Sequence, residues 1–79
     1  MTKHAVAEDQ KKRESIQRHF WNEVGAVEHI SLPKLKNALA KEFKCSDDRV
    51  IQAQIDLMQT EARIKIESRV KVWIKRPKQ

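Results

Sequence analysis

Residues 63–77 read RIKIESRVKVWIKRP, and the alternation of apolar with basic side chains along them decides the fold. In an extended chain Ile64, Ile66, Val70, Val72 and Ile74 point to one side, and Arg63, Lys65, Lys71, Trp73 and Lys75 to the other. The pattern predicts a β-hairpin with one face in the core and one in water. Directly paired residues share a face, so both apolar sets stay together only if the pairing sum is even. This selects a three-residue turn, Glu67-Ser68-Arg69, with Ile66 opposite Val70 and Ile64 opposite Val72. On the outer face Lys65 then meets Lys71, and Arg63 meets Trp73. No glycine is present for a left-handed turn position.

The same stretch carries the charge. Residues 1–62 hold ten Lys/Arg and ten Asp/Glu and cancel. Residues 63–79 hold seven cations against Glu67 alone, so the whole excess of +6 sits there. A block of this kind points to a polyanionic partner. A solubilising, partly disordered tail is the plainer reading, and the alternation with Val and Ile argues against it.

Upstream, residues 1–8 read as a disordered N-terminus. From Asp9 to Val24 the residues Ile16, Phe20, Trp21 and Val24 recur at helical spacing, and Gly25 is placed for a left-handed helix end. Val27, Ile30 and Leu32 suit a very short strand. Ser31 is placed to cap a second helix, Pro33 fits its first turn, and Leu35, Leu39 and Phe43 mark its inner face. Ser46 is the expected cap of a third helix, with Asp47 and Asp48 in its first turn. Ile51, Ile55, Met58 and Ala62 form its inner stripe, flanked by Val50 and Leu57. The fold class is α+β, with three helices, a short strand and a C-terminal hairpin as one domain over residues 9–76, followed by a basic tail at 77–79.

This order resembles the winged helix-turn-helix family. ISLPKLKNAL is similar to the strand and first helix of its helix-turn-helix unit, SDDRVIQAQIDLM to the recognition helix, and EARIKIESRVKVWI to the wing. Many members have a glycine between that helix and the wing, where this chain has Ala62. The resemblance implies a DNA-binding protein with a regulatory or architectural role, in which Arg49 and Gln52 read base edges in the major groove. The charge of the third helix opposes that mode. Residues 46–62 hold four acids against Arg49, a balance of −3, and such a helix is repelled by phosphates.

The wing supplies what the helix lacks. Lys34 and Lys36 of the second helix, with Arg63, Lys65, Arg69, Lys71, Lys75 and Arg76, are the expected phosphate contacts. Opposed lysines destabilise a strand pair, a cost that a bound phosphate relieves. Trp73 has two readings: exposed, where it stacks on a base or under Arg63, or folded inward as a core residue. Double-stranded DNA is the expected partner. A protein partner held by the acidic third helix and Trp73 is the alternative, and adjacent Phe20 and Trp21 leave room for a homodimer.

Enzyme chemistry finds no support. His4, His19 and His29 are scattered, no glycine-rich phosphate loop exists, and Cys45 reads as a packing residue. No cofactor or metal is expected. A single cysteine, and the lack of an apolar run suited to a signal peptide or membrane span, suggest a cytoplasmic protein with no membrane partner.

Overall fold

The computed structural model describes the backbone of residues 2–78 and the side chains of residues 8–78. It is a small α+β fold. Three helices, α1 (Thr2–Val24), α2 (Leu32–Phe43) and α3 (Asp48–Thr60), precede a two-stranded antiparallel hairpin of β1 (Ile64–Ser68) and β2 (Lys71–Ile74). α1 starts at Thr2, well before Asp9, so residues 2–8 continue the helix where the sequence suggested a disordered segment. The chain leaves α1 at Gly25, whose φ of +59° and N–H bond to the Trp21 carbonyl end the helix as expected.

The core draws on most of the apolar set the periodicities select, without Val70 and Ala62. Ile16 and Phe20 of α1, Leu35 and Leu39 of α2, and Ile51, Ile55 and Met58 of α3 meet Ile64, Val72 and Ile74 of the hairpin. Ser31 caps α2 by accepting from the Lys34 N–H. For α3 the cap is Asp47, whose side chain accepts from the Arg49 N–H, and Ser46 lies one residue outside. A carboxylate there answers the helix dipole as well as the free amide, which a serine hydroxyl does less well.

Two sequence-based expectations change in the strands. The strand over 27–32 contracts to one bridge: Ile30 exchanges both backbone hydrogen bonds with Val72, while Val27 is 85% exposed. Ile64, Ile66, Val72 and Ile74 keep their expected face, but the hairpin shifts register by two residues. Ile64 pairs with Ile74, Lys65 with Trp73, Ile66 with Val72, and a bulge at Glu67 brings Ser68 opposite Lys71. Left-handed backbone among the described residues occurs only at Gly25, Lys44 and Ala62, so no hairpin residue has it. The bulge and the Arg69-Val70 loop turn the chain without such a residue. The loop is held by Leu32 N–H donating to the Arg69 carbonyl and Val70 N–H to Ser68 Oγ. Val70 is thereby 63% exposed and leaves the core, while Ile64 and Ile74 now pair with each other and stay within it.

Ala62 joins α3 to β1 with a φ of +58°, and it faces solvent instead of completing the inner stripe of α3. The Ala62 N–H donates to the Gln59 carbonyl and the Arg63 N–H to the Met58 carbonyl, the double bond of a left-handed helix end. A Cβ in this conformation costs about 1–2 kcal/mol, part of which glycine returns as unfolded-state entropy. Ala62→Gly is therefore expected to stabilise the domain by about 0.5–1 kcal/mol, read as a rise of roughly 3–6 °C in Tm. An unchanged or lowered Tm would show that the left-handed residue carries no strain.

Candidate nucleic-acid interface

The outer face of the hairpin presents Lys65, Trp73 and Lys75 as the inner face takes the isoleucines. Cross-strand pairing sets Lys65 beside Trp73, and Lys75, the residue after β2, is held by its N–H bond to the Arg63 carbonyl and is exposed beyond Trp73. These residues, with Arg76 and Trp21 of α1, line an open cleft of about 510 Å³. Lys65, Lys75 and Arg76 are exposed, and none of them has an acidic partner within 4.0 Å among the described residues. Arg69 at the hairpin tip is likewise exposed and unpaired among those residues.

Trp73 is half-buried and stands apart from the core cluster. Its indole Nε1 donates to Glu67 Oε1 at 3.3 Å, and its ring meets His29 edge-on at a centroid distance of 5.2 Å. The residue thus falls between the two readings, outside the core cluster yet only half-exposed, and His29 is the neighbour that the alternation alone does not reveal. Trp21, by contrast, packs partly on the core beside fully enclosed Phe20 while also lining the cleft.

Other expected contacts are engaged elsewhere. Arg63 does not lie over Trp73; its Nε donates to Glu61 and its Nη1 to Gln17. It belongs to a network centred on Arg13, which is only 3% exposed. Arg13 donates to both oxygens of Glu61, at 2.9 and 2.7 Å, and to Gln54 Oε1 at 2.7 Å. Gln17 passes the chain on to the Lys75 carbonyl at 2.7 Å. Hydrogen bonding from Arg13, reinforced by Arg63, holds the Glu61 carboxyl below its ordinary pKa against the opposing effect of partial burial. These residues tie α1 and α3 to the hairpin, and no apolar periodicity marks them.

Lys71 does not oppose Lys65; it lies across from Ser68 and reaches Glu67 at 3.9 Å. Lys34 is bound to Glu23 at 2.8 Å and Lys36 approaches Asp48 at 3.7 Å. The lysines of α2 and the wing therefore do not form one uninterrupted cationic surface. Glu23 is held below its ordinary pKa, chiefly by the Lys34 hydrogen bond. On α3, Arg49 is exposed and Gln52 donates to its neighbour Asp56.

Among the described residues no group of three or more His, Cys, Asp or Glu side chains is placed to hold a metal ion. No helix there is long and apolar enough to cross a membrane. No protein-family model, curated protein or solved structure matches this chain.

Proposed function

We propose that this protein is a small winged helix-turn-helix domain that binds nucleic acid through the outer face of its hairpin, in a regulatory or architectural role. The observation that carries the proposal is the set of unpaired cations, Lys65, Lys75 and Arg76, around a half-exposed tryptophan. A surface that served only solubility would not need an aromatic at its centre. Phosphates supply the missing counter-charges, and the entropy of released counterions drives association. The α2 lysines, already satisfied by Glu23 and Asp48, contribute less. α3, with Asp47 at its cap and Asp48 and Asp56 against Arg49 alone, does not enter the groove.

The test is a titration of backbone amide resonances with a nucleic acid carrying both a duplex and an unpaired strand. Shifts are expected in residues 63–76 and around His29. Shifts confined to residues 47–60 would return the contact to α3, and an absence of shifts at low salt would remove nucleic acid as the partner. A second reading rests on α3 itself. Val50 and Leu57, two turns apart on one face, are 38% and 41% exposed beside Asp56. That face suits a basic, apolar protein segment and would stay silent in the titration.

A further inference from the structure

We infer that the cleft between Trp73 and Trp21 takes the bases of an unpaired strand, so that the preferred ligand is single-stranded or locally opened nucleic acid instead of intact duplex. The inference rests on the proposed function and specifies its ligand. Two independent observations carry it. The first is the composition of the cleft: two tryptophans from different elements, α1 and β2, line one depression with three cations, Lys65, Lys75 and Arg76, against the single acid Glu67. An intact duplex hides its base faces in the stack and offers only phosphates and groove edges to such a surface. An unpaired strand offers both phosphates and open π-faces, and stacking on an aromatic side chain is tolerant of sequence.

The second observation is the charge of α3. The element that would read the major groove of a duplex carries Asp47, Asp48 and Asp56 exposed around Arg49. Docking this helix in a groove would bring those carboxylates toward two phosphate strands. The hairpin face carries one acid, Glu67, which is engaged by the Trp73 indole N–H and approached by Lys71.

The cleft is also held in shape before any ligand arrives. The Glu67 carboxylate fixes the Trp73 indole N–H, and the His29 ring braces it edge-on. The ring therefore loses little rotamer freedom on binding. Ribose and deoxyribose strands share this chemistry, and the proposal concerns the unpaired base and its phosphate.

The experiment compares an oligothymidylate, an oligouridylate and a blunt duplex of equal phosphate number, using fluorescence anisotropy at fixed salt. The full chain is used as wild type, Trp73→Ala and Trp73→Phe. An unpaired strand is expected to bind more tightly than the duplex. Trp73→Ala should weaken that binding roughly 5- to 150-fold, the range for one base–aromatic stack, and leave duplex binding nearly unchanged. Trp73→Phe should recover most of the loss, and the indole fluorescence of Trp21→Phe, reporting Trp73 alone, should fall as strand is added. The thymidine and uridine arms separate DNA from RNA, and stacking on either upholds the inference. Equal affinity for strand and duplex, with no change on Trp73→Ala, overturns it while leaving phosphate binding in place. Binding to none of the three overturns the proposed function as well.

Discussion

Replacing Glu61 with Gln is expected to destabilise the domain by about 3 kcal/mol at neutral pH, the low end of the range for removing one partner of a buried ion pair. Arg13 is almost wholly enclosed, and both oxygens of Glu61 accept from it. Without the carboxylate, a buried guanidinium keeps only Gln54 as a full partner, and Arg63 loses its closest acid. Glu61 itself retains some solvent contact, which is why the low end applies. A chain of 79 residues holds roughly 4–12 kcal/mol in all, so the loss is a large share of its stability. Urea unfolding reads it as a lowered midpoint with an unchanged slope.

The pH dependence gives an independent check with a definite sign. The folded-state pKa of Glu61 is depressed from its ordinary 4.5, so its contribution is fully present above 4.5 and is lost as the pH falls through the folded value. The stability gap between wild type and Glu61→Gln should be constant from neutral pH down to about 5 and then narrow. A gap that widens in acid would place the ion pair outside the fold's energetics.

The second large effect is functional. Neutralising Lys65, Lys75 and Arg76 together to Gln is expected to weaken nucleic-acid binding roughly 10²–10³-fold near 50 mM salt, since each released counterion contributes about one decade there. Stability should barely move, because none of the three side chains has an acidic partner among the described residues. Exposed substitutions of this kind stay within about 0.5 kcal/mol. Arg63 is the instructive contrast. Although it lies in the same basic run, it is bound to Glu61 and Gln17, and its loss would register in folding.

Apolar periodicity made the helices, their inner faces and the hairpin faces legible, because burial acts on every third or fourth residue of a helix and every second residue of a strand. Ile64, Ile66, Val72 and Ile74 keep their expected side, yet the register does not follow from parity alone. A pairing sum of 136 or 138 keeps the same faces, and the choice fell to a turn that avoids left-handed backbone at the cost of exposing Val70.

The candidate site was legible in composition and not in partners. Seven cations in a row of seventeen residues mark a basic segment, but they do not say which are spoken for. Lys34 and Lys36 lie next to Glu23 and Asp48 only after α1, α2 and α3 have packed. Arg13 and Gln17 gave one signal, a polar pair on the α1 face that also holds Ile16 and Phe20. A buried arginine needs a carboxylate, and the helix-end Glu61 was available to supply it.

The most direct test of phosphate binding by the hairpin face is the slope of log affinity against log salt for wild type and for Lys65→Gln/Lys75→Gln/Arg76→Gln. Removing one cation that neutralises a phosphate makes the slope shallower by about 0.7 for a single strand or 0.9 for a duplex. Three such cations therefore predict a slope shallower by roughly 2–3 in the triple variant, with its Tm unchanged. Parallel slopes for the two proteins would place the phosphates elsewhere on the molecule and contradict the assignment of the hairpin face.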